Sequence, residues 1–195
     1  YASEEDIDYC WEESKAPTNN LATCGVPSTP TDGDFSSSSG TNGHRIILVH
    51  TTEGDSYKAM ANALRSKGLS YTIAIDEDGN VSRLVSDDVR AIGAKSANND
   101  SLQVALVGNA DEGDRLDANS IQMKTLSSCI ADWSKAYNIP LKHVTGAGIL
   151  NGGSAKGVAG HGDVANADPA AYAGNGRTDP GVNFPWSEVL ANAKK

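Results

Sequence analysis

Four consecutive aliphatic residues, Ile46, Ile47, Leu48 and Val49, run directly into a histidine, His50. An unbroken run of this kind, mostly β-branched, is the pattern of a buried strand. Open α/β sheets carry their chemistry just beyond the carboxyl ends of such strands. His50 therefore stands either as a cap on the core or as the first ligand of a metal site. A second run, "SLQVALVGN" from Ser101, reads as another buried strand. Between them, Tyr57, Met60, Ala61 and Leu64 recur at helical spacing, with Gly68 placed to stop the helix. "LSYTIAIDEDGNVSRLV" alternates on either side of "DEDGN", which predicts a hairpin turning at Asp78 to Asn80. Residues 119–140 form a long amphipathic helix ended by Asn138 and Pro140, and a further helix closes the chain. Strands and helices mix without strict alternation. The expected fold is mixed α/β, a single central mixed sheet flanked by helices.

At 195 residues the chain suits one well-buried domain with an extension. Residues 1–40 form that extension, acidic at first and then rich in Ser, Thr, Pro and Gly, ending in "FSSSSGTNG", which reads as a flexible connector. The compact domain is expected over 41–195. The formal net charge of -9, with no cluster of Lys and Arg, argues against a nucleic-acid partner. No apolar run approaches the roughly 18 residues that span a bilayer, so membrane insertion is not expected. A start at Tyr1 in place of Met fits a chain from which a preceding segment has been removed. Of the three cysteines, Cys10 and Cys24 share the polar extension, and a bridge between them would fit an oxidising, extracytoplasmic setting. Cys129 falls on the apolar stripe Leu126, Cys129, Ile130, Trp133, Tyr137 and is expected as a buried, unreactive thiol. The chain is expected to be a monomer.

Of four histidines, His44 is expected to be solvated and His143 to be a cap or surface residue, so neither is given a role. His50 and His161 differ, since each ends a short apolar run and enters a Thr or Gly loop. Asp179 joins them: Pro180 biases it toward an extended backbone and Gly181 permits a tight turn, which fixes a carboxylate in space. Two neutral imidazoles and a carboxylate make a catalytic zinc set, because three protein ligands leave the fourth tetrahedral position open for water. Spacing alone leaves open the plainer reading of two loop histidines and an ordinary turn.

"HRIILVHTTEG", "LSYTIAIDEDGNVSRLV", "NNDSLQVALVG", "GVAGHGDV" and "RTDPGVNFPW" occur in an order and spacing that resembles the zinc-dependent N-acetylmuramoyl-L-alanine amidases. Their superfamily also holds the peptidoglycan recognition proteins. The likeness runs from about Arg45 to Leu190, and the last motif is nearest to amidase domains of actinobacteria and phage lysins. It implies Zn2+ held by His50, His161 and Asp179, with Tyr71 beside the metal and Arg177 where many relatives carry Lys. It also implies a peptidoglycan substrate, a muramyl peptide, met as a secreted enzyme or a phage-encoded lysin acting on the cell wall. Tyr71 and Arg177 would then stabilise the tetrahedral intermediate. The chain departs from the family pattern at three points. Thr72 and Gly93 stand where relatives often carry histidine, and Ala105 and Val107 lie in a strand where some carry an acid. Glu53 is an outside candidate for that missing acid, and a solvated loop residue is its plainer reading. These departures favour a second reading, a recognition module that binds peptidoglycan without turnover, while the intact ligand set favours the hydrolase.

Overall fold

The computed structural model describes residues 26–27, 29–174 and 176–195. Among the described residues seven strands form, in chain order β1 (Ser37–Thr41), β2 (Ile46–Thr51), β3 (Ile73–Ile75), β4 (Val81–Arg83), β5 (Val89–Ala91), β6 (Ser101–Leu106) and β7 (Gly157–Gly160). The helices are α1 (Tyr57–Lys67), α2 (Ile121–Tyr137), α3 (His161–Ala167) and α4 (Trp186–Asn192). The two runs read as buried strands become β2 and β6, in which every residue is buried.

Five strands make one sheet in the order β4-β3-β6-β2-β7, parallel throughout except for β4, which pairs antiparallel with β3 as the outer arm of the expected hairpin. Successive residues of a strand face opposite sides, and here both sides are covered. Ile47, Val49, Leu102, Val104 and Leu106 pack on Leu126, Ile130 and Trp133 of α2 and on Val189 and Leu190 of α4. Ile46 and Leu48 face Val164 and Ala165 of α3, while Ala74 and Ala105 face Met60 and Leu64 of α1. The sheet is thus a middle layer, and helix caps sit where the sequence puts them. Ser56 accepts from the Ala59 amide, and Gly68 and Asn138 take left-handed conformations at the ends of α1 and α2.

Several expectations need correction. The supposed flexible connector contains β1, paired antiparallel with β5, because a polar Ser/Thr strand satisfies its backbone on one partner and leaves its side chains to solvent. Further upstream, the Thr31 amide donates to the Arg83 carbonyl at 3.0 Å. His44 is not solvated: its Nε2 donates to the Asp87 carbonyl at 2.7 Å and its ring stacks on Tyr137 at 4.0 Å between centroids. Cys129 is buried, as its stripe predicts. The expected Cys10–Cys24 bridge lies outside the described residues. Among the described residues, no helix is long and apolar enough to cross a membrane.

Candidate active site

The parallel register of β2 and β7 pairs Val49 with Gly160, so the next residues, His50 and His161, emerge side by side at the carboxyl ends of adjacent strands. His161 does not enter a loop, as its glycine-rich surroundings suggest, but is the first residue of α3. The helix starts there because the Asp163 carboxylate accepts the Gly160 amide at 2.7 Å, capping the first turn despite the glycines. Asp163 also accepts from His143 Nε2 at 2.8 Å, and the His143 ring stacks on Trp186, so this histidine braces the same corner.

The third member arrives on the loop before α4. Gly181 adopts φ 114° and its amide closes a turn onto the Thr178 carbonyl at 2.8 Å. The Gly162 amide binds the Asp179 carbonyl at 2.7 Å, which ties this loop to the start of α3. His50 Nδ1 then lies 3.1 Å from His161 Nδ1 and 3.5 Å from Asp179 Oδ2, with His161 Nδ1 3.4 Å from the same oxygen. All three residues are at least 95% buried. Ligand bonds near 2.0–2.1 Å around a tetrahedral cation require donor atoms about 3.3 Å apart. The observed spacings fit, and the group can hold a metal ion.

Electrostatics suit the same use. Burial, reinforced by the neighbouring His161, lowers the His50 pKa to about 4, with Asp179 and Gln103 opposing, so the imidazole is neutral at pH 7 and keeps a lone pair for a ligand. Burial works to raise the pKa of Asp179, but the neighbouring His161 and His50 outweigh it and hold the carboxyl well below the usual carboxylate range.

Tyr71 lies with its ring 4.7 Å from that of His50. Burial, followed by the charge of Asp179, pushes its hydroxyl up to about 12, with Arg177 opposing and Glu53 adding, so it remains a hydrogen-bond donor at neutral pH. Arg177 is exposed and borders two clefts that flank the group. One, about 350 Å³, is bordered also by His143, Asp179 and Trp186. The other, about 220 Å³, is bordered by Lys95, His161 and Tyr172. Glu53 accepts from the Thr51 hydroxyl and, at 3.2 Å, from the Ala110 amide. Sequence reasoning missed Tyr172, whose hydroxyl meets His161 Nε2 at 3.1 Å. A lone tyrosine in "AAYAG" carries no local signal of that contact.

Comparison with known proteins gives a consistent result. A family profile described as N-acetylmuramoyl-L-alanine amidase matches residues 40–182. Among solved structures, the endolysin amidase LysCS from Clostridium intestinale is 18% identical, covers 86% of this chain and 98% of its own, and superposes with a TM-score of 0.56. The endolysin of Thermus scotoductus bacteriophage Ph2119 is 22% identical over 80% of this chain and 88% of its own, with a TM-score of 0.55. The Staphylococcus aureus hydrolase AmiA, solved with its ligand, is 14% identical over 85% of this chain and 82% of its own, at 0.57. At these identities the likeness is one of fold. No curated protein sequence matches significantly.

Proposed function

The chain belongs to the N-acetylmuramoyl-L-alanine amidase family, and from that premise we propose that it cuts the muramoyl-alanine amide of peptidoglycan as a zinc enzyme, with His50, His161 and Asp179 as ligands. The observation that carries the zinc reading is the convergence of three buried donor atoms, one of them 111 residues upstream of the next, at spacings of 3.1–3.5 Å. A nitrogen–nitrogen–oxygen set of borderline softness suits Zn2+. Zinc bound there supplies Lewis acidity toward the scissile carbonyl and lowers the pKa of water.

The chain's own residues supply the rest. The Tyr71 hydroxyl, protonated at neutral pH and beside His50, donates a hydrogen bond to the carbonyl oxygen as it gains negative charge. Arg177, between the two clefts, adds positive charge near the same oxygen. Ala105, which pairs with His50 across β2 and β6, carries only a methyl group and cannot relay a proton, so we assign that task to Glu53, whose carboxylate Tyr71 senses. The binding-only reading does not explain why three donors are buried around one point, since holding a glycopeptide needs no metal.

The test is hydrolysis of purified peptidoglycan, read as new L-alanine amino termini. Chelation should abolish release and added zinc restore it. His50→Ala and His161→Ala should each remove zinc and activity, and Glu53→Gln should lower kcat with zinc retained. Undiminished release by either histidine variant would overturn the assignment.

A further inference from the structure

We infer that Gln103 is a positioning residue for His50: its amide oxygen accepts the imidazole Nε2–H and fixes the tautomer that leaves Nδ1 to face His161 and Asp179. The inference rests on the zinc reading above.

Gln103 is a polar residue in the middle of an otherwise apolar strand, with no exposed surface. The β2–β6 register pairs Leu48 with Gln103 and His50 with Ala105, so Gln103 is the diagonal neighbour of His50 on the same face of the sheet. A diagonal neighbour is within reach of a long side chain, and Ala105 leaves the space open. Buried polar atoms are normally hydrogen-bonded. Among the described residues, only three such side-chain atoms lack a partner, and two of them are His50 Nε2 and Gln103 Oε1.

The orientation of the amide is fixed by a chain of donors. The amides of Gly93 and Ala94 donate to Asn98 Oδ1 at 3.1 and 2.7 Å. Gln103 Nε2 donates to that same oxygen at 3.1 Å and to the Ala91 carbonyl at 3.2 Å. Backbone amides can only donate, so the polarity runs one way: Gln103 must turn its NH2 to Asn98 and its oxygen elsewhere. That oxygen is also among the groups that raise the basicity of His50. Gly93 makes room for it, since a Cβ there would sit 2.4 Å from Gln103 Oε1. A carbonyl on the far nitrogen of a ligating imidazole orients the ring and sharpens its donor, and its loss weakens metal binding by about 10–100-fold.

The experiment uses the full chain with zinc as the probe. Zinc affinity is measured by chelator competition in wild type, Gln103→Leu and Gly93→Ala, with a urea midpoint as the check on folding. The histidine tautomer is read by nitrogen-15 NMR with and without zinc. Both variants are expected to bind zinc about 10–100-fold more weakly, and wild-type His50 to show a slowly exchanging Nε2–H in both states. A folded Gln103→Leu that keeps wild-type affinity, or a His50 protonated on Nδ1, overturns the inference. If neither variant folds, the wild-type tautomer decides alone. A wild type that takes up no zinc overturns the metal reading itself, a distinct result.

Discussion

Gly160→Ala tests whether the loop that carries Asp179 and the start of α3 are one mechanical unit. Gly160 has φ -96° and ψ 160°, which alanine adopts freely, so the substitution carries no backbone penalty. The cost is steric: the new Cβ would lie 2.7 Å from Pro180 Cδ and 3.3 Å from both the Asp179 carbonyl oxygen and Trp186 Cζ2. Carbon atoms pack at about 3.5–4.0 Å, so the proline ring must withdraw by nearly 1 Å. Pro180 is bonded to Asp179, and the Asp179 carbonyl is tied to the Gly162 amide at 2.7 Å, so the displacement reaches the Asp179 carboxylate. Metal sites tolerate about 0.2 Å in ligand position. Overpacking of this kind destabilises by about 1–3 kcal/mol, and if the ligand set bears half of it, zinc affinity falls about two- to tenfold. Urea unfolding of the zinc-free protein reads the first quantity and chelator competition the second. Gly33→Ala is the control, because nothing lies within 4 Å of its Cβ. Lost stability with unchanged zinc affinity would refute the mechanical coupling, and no change in either would refute the packing argument.

Two further outcomes follow from the charges. Asp87→Ala should destabilise by about 3–5 kcal/mol in urea unfolding. It strips the carboxylate from the fully buried Arg83 guanidinium and from the Trp133 and Tyr137 donors at 3.1 and 3.0 Å, and a loss under about 1 kcal/mol would contradict that network. The zinc-free protein should lose stability as pH falls from about 6.5 toward 4. In that window the unfolded chain protonates His50 while the native state, with its pKa near 4, does not, so protons favour unfolding by about 2 kcal/mol at pH 4.5. His50→Ala should remove that component of the slope, as measured by urea midpoints across the range.

The legible parts of the fold share a cause. β2 and β6 announce themselves because strands covered on both faces are dominated by aliphatic residues, and α2 because its stripe keeps one period for seventeen residues. His50 was visible as the polar end of such a run. His161 was harder: the cap that starts α3 is a contact between Asp163 and the Gly160 amide, and glycines on either side mask the helix. His44 was misread since its partners, Asp87 and Tyr137, lie 43 and 93 residues away. The strand at Ser37–Thr41 was misread for a related reason, because β propensity is set by a partner and polar edge strands carry little of it. Gln103 did have a local sign, a lone amide among aliphatic neighbours, although the partner it implies depends on the register of another strand.

Register is where the site is decided. A slip of one residue between β2 and β7 would turn one strand's side chains to the opposite face and separate His50 from His161. In most sheets alternation of polar and apolar residues guards against this, but Ile46 to Val49 are apolar on both faces and a slipped β2 would still be buried. The guard must therefore lie at the ends. Arg45, immediately before β2, donates to the carbonyls of Gly148 at 3.1 Å and Leu150 at 2.8 Å, and also to that of Ala155, in the segment that leads into β7. Its other contact is the Asp100 carboxylate at 3.0 Å, directly before β6. One guanidinium thus aligns the amino ends of three parallel strands, whose carboxyl ends, four to six residues on, then have no freedom in where they deliver the two imidazoles.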